Sequence, residues 1–300
     1  MATFALFNIF LAAFFLVRES FTTTGEKVRV VIYGLIILLQ VFVLYHTATR
    51  GAMLGLIVGG VLAAALIAFL EKERILLKRV AIGVLAVIIL LVASFIMLRN
   101  ADFVEESPVL SRFAAISVTE QTTKSRFMVW NMAYQGFKEH PVLGWGMENF
   151  NYVFNKYYDP NMYGQEQWFD RAHNVFFDWL IAGGLLGLLG YLGLFAVALY
   201  YIWRRGKTLS LAEKSVLTGL LGAYFFQNLF VFDNITSLIY FFTILAYVES
   251  VRDKDDHAKV KPEPTFTDGQ AYAITMGAII LAFVLVYAIN HDGYKQNTTL

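Results

Sequence analysis

Long apolar runs separated by short charged stretches constrain this chain more than any other feature. A bilayer core of about 30 Å needs about 20 apolar residues in a helix that rises about 1.5 Å per residue. Runs that reach or approach this length cover residues 2–17, 30–48, 51–70, 80–98, 173–203, 214–232, 235–250 and 271–289. The sequence therefore predicts an all-α fold, a polytopic transmembrane bundle of about eight spans.

The composition excludes several other classes of protein. Of 300 residues, 58% are hydrophobic and 16% are charged, whereas soluble domains average about 25% charged residues. A formal net charge of +1 argues against an electrostatic nucleic-acid binder. The absence of cysteine excludes a disulfide framework and a Cys-ligated zinc, and the histidines are too scattered to suggest another metal site. We therefore expect no nucleic-acid partner, no metal and no cofactor.

Lysine and arginine in the short loops indicate the orientation, because positive charge is disfavoured on the translocated side. The basic loops near residues 18–29, 72–79, 204–213 and 251–270 are assigned to the cytoplasm. The other side receives residues 47–50, 99–171, 233–234 and the C-terminal tail. The predicted division is residues 1–98 with spans one to four, residues 99–171 as an extracytoplasmic segment bearing part of the active site, and residues 172–300 with spans five to eight.

Two spans carry glycines at helical spacing, which we interpret as faces where helix backbones approach closely. These stripes consist of Gly51, Gly55 and Gly59, and of Gly183, Gly187, Gly190 and Gly193. The run 173–203 is also too long for a bilayer core. Either His173 stands at or above the outer interface, or Gly183 and Gly184 kink the helix.

Ionisable residues are nearly absent from the predicted spans. Away from the ends of the runs, in the predicted hydrocarbon region, only His46 and Asp178 are ionisable, and each is near an outer end. Ion-coupled or proton-coupled transport normally needs such groups near the membrane midplane. The chemistry of the chain is therefore expected on the outward surface.

The outward segment contains an amphipathic pattern between Lys124 and Glu139. Phe127, Trp130, Tyr134 and Phe137 follow one another at spacings of three and four, which predicts a helix, with Thr122 or Thr123 as its N-cap. We interpret these rings as an interfacial belt, and stacking against sugar faces is the competing use.

Polar residues of the outward segment and the spans beside it form several candidate sites. Gly144 and Gly146, after His140, suggest a tight turn and an anion-binding nest. Asp170, Arg171, His173 and Asn174 form a polar cluster where the fifth span begins. A helix dipole and snorkelling account for Asp170 and Arg171 without requiring His173.

Arg50 lies between two apolar runs in a turn with almost no other charge. It either snorkels to lipid phosphate or binds a ligand. If Arg50, Arg126 and His173 converge, the surface offers two guanidinium groups suited to phosphate and one base that titrates near neutral pH.

Four short motifs in this order carry a family resemblance: Thr47-Ala48-Thr49-Arg50-Gly51-Ala52; Ser125-Arg126-Phe127 with Trp130 and Ala133; His140-Pro141 with Gly144 and Gly146; and His173-Asn174. With them, residues 45–200 resemble the bacterial superfamily of O-antigen ligases, O-antigen polymerases and protein O-oligosaccharyltransferases. Its members are multi-pass glycosyltransferases of the bacterial cytoplasmic (inner) membrane. They transfer a glycan from an undecaprenyl-diphosphate carrier to an acceptor hydroxyl on the outer face, with inversion and without a metal.

The resemblance implies that Arg50 and Arg126 hold the diphosphate of the donor and that His173 activates the acceptor, which is a glycan, a lipid or a protein. Glu148 and Asp170 are reserve candidates for the base, and Arg171 and Lys124 add positive field. Asn174, His140, Gly144 and Gly146 are supporting residues. Members usually have about a dozen spans, whereas two precede Arg50 here, so we expect either a portion of a longer chain or a naturally short member.

Two alternatives to a transferase remain open at this point. One is a flippase or exporter of lipid-linked oligosaccharide, and the other is an inactive scaffold subunit of a polysaccharide assembly complex. The string Asp253-Lys254-Asp255 resembles a cation-binding motif of nucleotide-sugar transferases, but it lies in a short charged loop that we interpret as a solvated linker.

Overall fold

The computed structural model describes residues 1–20, 22–116, 121–164 and 168–251, together with short stretches between residues 267 and 287. Its described residues form helices and turns and no strand, which confirms the all-α prediction. The chain divides into two compact units, Met1–Asp253 and Lys254–Leu300. In the second unit, residues 272–277 are helical within the predicted eighth span, and the Asp253–Asp255 string lies outside the described residues.

The first unit contains eleven α-helices among its described residues. They are α1 (Ala2–Arg18), α2 (Thr24–His46), α3 (Arg50–Leu70), α4 (Ile75–Leu98), α5 (Asp102–Glu105), α6 (Leu110–Ala114), α7 (Gln121–Glu139), α8 (Phe150–Lys156), α9 (Val175–Tyr200), α10 (Leu211–Asn228) and α11 (Ile235–Ser250). A 3₁₀ turn covers Pro160–Met162, and α9 continues into a π-helical turn, Tyr201–Arg205.

Four of the described helices are long and apolar enough to cross a membrane: α2, α3, α4 and α9 with its π-helical turn. The prediction of about eight spans is therefore supported for four. α1 and α11 are apolar but have only 17 and 16 residues, fewer than a bilayer core of about 30 Å requires. α10 is a mostly buried helix that carries Glu213, Gln227 and Asn228 among its buried residues. Helix α10 is therefore an interior helix of the first unit, against which other helices pack.

The glycine stripe of α3 forms the seam between α3 and α10, the most extensive helix pair in the structure. A side chain added at Gly55 would approach the carbonyl oxygen of Ala223 to 2.7 Å, and one at Gly219 would approach that of Gly59 to 2.6 Å. Only hydrogen fits between these backbones. The predicted packing face of α3 is confirmed.

The second glycine stripe behaves differently. A side chain added at Gly183, Gly190 or Gly193 would meet no described atom within 4 Å, so the described residues do not form the predicted packing face at these positions. The alternative, a kinked helix, is confirmed at Gly184, where φ is 61° and ψ is −155°.

The kink receives the turn that precedes α8. Trp145 N–H donates to the Ile181 carbonyl at 2.6 Å, and Leu185 N–H donates to the Pro141 carbonyl at 2.8 Å. A Cβ at Gly144 would lie 2.6 Å from Gly184 N, so the two backbones touch directly. A side chain at either Gly144 or Gly184 would therefore collide with the backbone of the other segment.

Arg18 and Arg74, two of the basic residues assigned to the cytoplasm, lie at one end of the bundle. Arg18 pairs with Glu213 at 3.2 Å, and the Arg74 guanidinium donates to the Val17 carbonyl at 2.6 Å and to the Glu19 carbonyl at 2.9 Å. Helix α10 begins here with a capping box between Ser210 and Glu213. The loops of this end are therefore tied together by charge-assisted contacts.

The segment that contains α7 and α8 packs as a small core over the start of α9. The buried face of α7 consists of Ser125, Val129, Met132, Ala133 and Gly136. The aromatic stripe expected there lies beside this face, and Phe127 and Tyr134 are about half exposed. Thr122 and Thr123 lie in the first turn of α7 and are not its N-cap.

Candidate functional site

A cavity of about 480 Å³ lies at the end of the bundle opposite Arg18 and Arg74. Small-molecule sites typically measure about 300–1,000 Å³. Three parts of the chain contribute its described lining residues: Thr47, Ala48, Thr49, Arg50, Gly51, Leu54, Arg112, Ile116, Thr122, Thr123, Arg126, Phe127, Trp130, Phe230 and Val231. The turn before α3, the segment up to α7 and the loop after α10 therefore meet here.

The cavity contains both arginines that the sequence pointed to, Arg50 and Arg126, and a third, Arg112. Four threonine hydroxyls accompany them, and none of the described lining residues is acidic. Guanidinium groups bind phosphate and carboxylate through paired N–H donors. The lining therefore suits an anion with several oxygens.

The tight turn between α2 and α3 positions Arg50. The Thr47 hydroxyl donates to the Leu44 carbonyl at 2.7 Å, and Ala48 has a left-handed φ of 50°. Gly51 follows, and a side chain there would press on Phe230 Cβ at 3.3 Å. The close approach of α3 to the end of α10 thus brings Phe230 to the cavity.

Helix α7 positions Arg126 through its periodicity. Thr122, Arg126 and Trp130 are four residues apart, so they share one face of the helix, and all three line the cavity. Trp130, one of the rings expected in a membrane belt, contacts both the cavity and the backbone beside His173. Its ring lines the cavity, and its Nε1–H donates to the Ala172 carbonyl at 3.0 Å.

His173 lies behind this wall and is not among the described lining residues of the cavity. Its ring meets the Phe232 ring edge-on with centroids 5.2 Å apart, one residue beyond the cavity residue Val231. On its other side is the ring of Phe169 at 5.7 Å. The structure therefore brings Arg50 and Arg126 into one cavity and His173 to its edge.

The backbone around His173 is fixed on both sides. The Ala172 N–H donates to Asp178 Oδ1 at 2.7 Å, while Trp130 occupies the Ala172 carbonyl. The Asn174 side chain accepts from Phe176 N–H at 3.0 Å and donates to the Leu229 carbonyl at 3.1 Å. His173 itself has a left-handed φ of 52°, a conformation that surrounding structure must stabilise.

Two of the supporting residues gather around Phe232 with His173. Arg171 forms an ion pair with Glu148, and its guanidinium lies 5.5 Å from the centre of the Phe232 ring. Glu148 also has a left-handed φ, of 61°. Ala48, Glu148 and His173 are the non-glycine residues with positive φ in the described part of the chain, and all three flank this region.

Five other expected residues lie elsewhere or act differently. Lys124 and Asp170 are exposed and do not line the cavity. His140 packs edge-on against Trp145, with centroids 4.6 Å apart. The expected anion nest at Gly144 and Gly146 is engaged within the protein, since Gly144 N–H donates to the His140 carbonyl and Trp145 N–H to Ile181.

A family model of O-antigen ligases matches residues 35–192, more than half of the chain. The chain belongs to the O-antigen ligase family. The match spans Arg50, Arg126 and His173 and confirms the resemblance read from the four motifs. The comparison with curated proteins gives no match. Membership in the O-antigen ligase family supports a multi-pass membrane protein with glycosyltransferase-like activity.

Sequence reasoning missed three contributors to this family member's site. Arg112 stands on a helix of five residues that gives no periodic signal. Phe232 is one ring in an aromatic-rich stretch, and only the fold brings it beside His173. Asp178 was noticeable as an acid in an apolar run, but its hydrogen bond to Ala172 is visible only in the structure.

Proposed function

We propose that this protein transfers a glycan from an undecaprenyl-diphosphate carrier to an acceptor hydroxyl on the outer face of the bacterial cytoplasmic membrane. The observation that carries the proposal is the cavity that both Arg50 and Arg126 line, together with four threonines. Fixed guanidinium groups stabilise a departing diphosphate without a divalent ion. The proposed reaction is therefore metal-independent.

A second cavity supports a lipid-linked donor. It also measures about 480 Å³, is lined by apolar side chains and glycine, and lies among α1, α2, α3, α4 and α10. Helix α3 contributes to both cavities: Arg50 and Leu54 line the first, and Ile57 and Ala64 line the second. These positions share one helical face, because they follow at spacings of four, three and seven. A diphosphate held near Arg50 thus has an apolar space about two turns deeper along α3 for its polyprenyl chain.

His173 is the proposed base. It would accept the proton of the acceptor hydroxyl as that oxygen bonds to the anomeric carbon, while the bond from this carbon to the diphosphate breaks and its electron pair leaves with the lipid diphosphate. A single displacement of this kind inverts the anomeric centre. Glu148 is paired with Arg171, so we assign it to the support of this region and not to proton transfer.

The test uses the full chain in proteoliposomes with an undecaprenyl-diphosphate-linked glycan and a panel of glycan, lipid and peptide acceptors. Mass spectrometry identifies the product and the released lipid diphosphate. We expect Arg126→Ala to lower turnover by roughly 100-fold or more, since it removes a charge from the leaving-group site. Lys138→Ala is the matched control, because Lys138 is an exposed cation on the same helix that does not line the cavity.

Near-normal turnover by Arg126→Ala would remove the proposed role of this residue. Movement of intact donor across the membrane without its consumption would instead indicate a flippase. Binding of partner proteins without any donor turnover would indicate a scaffold subunit.

A further inference from the structure

Arg112 is a third guanidinium in the cavity that holds Arg50 and Arg126. It comes from α6, an element separate from those that carry the other two. The Ser107 hydroxyl fixes the start of this element, because it accepts from the Leu110 N–H at 3.2 Å and lies 3.5 Å from the Tyr45 hydroxyl of α2. Arg112 is therefore held beside the turn that presents Arg50.

The charge of the proposed ligand changes during the reaction. In the intact donor, each phosphate is esterified and carries one negative charge. When the glycosidic bond breaks, the outer phosphate loses its only ester bond and becomes the terminal phosphate of the lipid diphosphate; a phosphate with a single substituent carries a charge of about −1.5 to −2 at pH 7. The leaving group thus gains negative charge on a single oxygen, and a cation placed there stabilises the transition state more than the bound donor.

The position of Arg112 matches that oxygen better than the position of Arg50 does. Arg50 is half-buried and stands at the head of the helical face that leads to the apolar cavity, which favours the phosphate next to the lipid. Arg112 is exposed and stands beside Ile116 on another wall. The sugar must reach an acceptor from the water side, so its phosphate faces the exposed part of the cavity.

We propose that Arg112 is a catalytic residue that binds the outer phosphate of the leaving lipid diphosphate and recognises its unesterified form. The inference rests on the proposed function. The acceptor oxygen bonds to the anomeric carbon, the carbon–oxygen bond to the outer phosphate breaks, its electron pair stays on the phosphate oxygen, and the acceptor proton passes to His173. Arg112 forms a charge-assisted hydrogen bond to that phosphate oxygen.

The experiment compares wild type, Arg112→Gln, Arg112→Lys and Arg99→Gln, each as the full chain in nanodiscs. Arg99 is the matched control, an exposed arginine of the same outward region that does not line the cavity. Binding is measured with two probes, farnesyl diphosphate and its terminal methyl ester, which differ in whether the outer phosphate is unesterified or carries a methyl ester. Transfer is measured with the undecaprenyl-diphosphate-linked glycan.

We expect Arg112→Gln to weaken binding of farnesyl diphosphate about tenfold or more and binding of the methyl ester only about twofold. The same variant should lower kcat about tenfold or more with a donor KM close to wild type, the pattern of an interaction made in the transition state. Arg112→Lys should recover part of both losses, because it restores the charge without the paired donors. Arg99→Gln should match wild type.

Equal weakening for the two probes would overturn the inference, since Arg112 would then attract any anion. Binding and kcat unchanged from wild type would overturn it as well. If no variant transfers glycan but Arg112→Gln still loses binding of farnesyl diphosphate selectively, the leaving-group site stands and the transferase proposal fails. If wild type transfers glycan and shows no preference for farnesyl diphosphate over its methyl ester, the transferase stands and the role of Arg112 fails.

Discussion

Helices α3 and α9 look alike in sequence, and the fold uses them differently. Both are glycine-rich, and each carries a predicted site residue at the same end, Arg50 on α3 and His173 just before α9. The glycines of α3 let its backbone press against α10 along a straight seam. Those of α9 leave open space at Gly190 and Gly193, and Gly184 forms a kink that receives a turn. Glycine spacing therefore predicts where backbones can approach, and the opposing element decides whether they do.

Because of this difference, Arg50 and His173 are held in place by different kinds of contact. Arg50 is anchored by contact between two long helices, so its position depends on the core of the bundle. The backbone beside His173 is held by side-chain hydrogen bonds, in which Trp130 and Asn174 donate and Asp178 accepts. Changes in the α3 seam should therefore affect folding first, and changes near α9 should affect turnover first.

The largest effect is expected for Gly59→Leu. A side chain at Gly59 falls on the carbonyl of Gly219 and on Ala223, so the seam must open. We expect a loss of about 3 kcal/mol or more in the free energy of unfolding, measured by equilibrium unfolding in mixed micelles. The control is Gly60→Leu, because a side chain there meets only Ile88 Cδ1 at 3.6 Å. Equal destabilisation by both variants would contradict the importance of the seam.

Gly184→Ala should have the next largest effect. Alanine at a left-handed φ costs about 1–2 kcal/mol, and its Cβ would also lie 2.7 Å from Leu143 N. We expect faster hydrogen exchange in residues 140–146 and lower turnover, with the α3–α10 seam protected as in wild type. Its neighbour Gly183 has open space and provides the control, Gly183→Ala. If residues 140–146 keep wild-type exchange in Gly184→Ala, the kink does not hold the turn.

Trp130→Phe is expected to have a smaller effect on stability. It keeps an aromatic ring and removes the donor to the Ala172 carbonyl, a loss of about 1 kcal/mol. Because Ala172 fixes the backbone beside His173, we expect kcat to fall several-fold with little change in donor KM. Phe127→Leu is the control, since Phe127 lines the same cavity and has no such hydrogen bond. A change in KM alone would assign Trp130 to donor binding.

The smallest effect, and the one of opposite sign, is expected for Gly190→Ala. Nothing lies within 4 Å of the added Cβ, and alanine favours a helix over glycine by up to about 1 kcal/mol. A slightly higher unfolding midpoint is therefore expected in the same micelles. Destabilisation would mean that α9 has a close partner at this position after all.

Hydropathy and glycine spacing sufficed for the parts of the fold that depend on local sequence. Apolar runs of consecutive residues predict the spans of α2, α3 and α4, the α3 seam and the turn that carries Arg50. Of the about eight predicted spans, the described residues support four: α1 and α11 are apolar but short, α10 is mostly buried in protein, and the eighth run is described only in short stretches.

The site was predictable only in part for a related reason. Arg50, Arg126 and His173 stand out because a charge in an apolar or aromatic context is rare. The buried face of α7 gives little signal in the sequence, since small residues such as Ala133 and Gly136 pack inside while the rings lie beside them. Arg112 and Phe232 gain their meaning from long-range contacts that no periodicity encodes.

Two backbone contacts also determine when during synthesis the fold can form. These are the contact of Gly144 with Gly184 and that of Gly59 with Gly219. The chain emerges from its N-terminus, so Arg50 and Arg126 are made long before the backbones that hold their surroundings in place. The turn at residues 140–146 has no docking partner until α9 has been made, and α3 has none for its glycine face until α10 follows. A cavity with this architecture therefore forms late in synthesis, after α9 and α10 have been made. A partly synthesised chain in the membrane is unable to bind the ligand of the cavity.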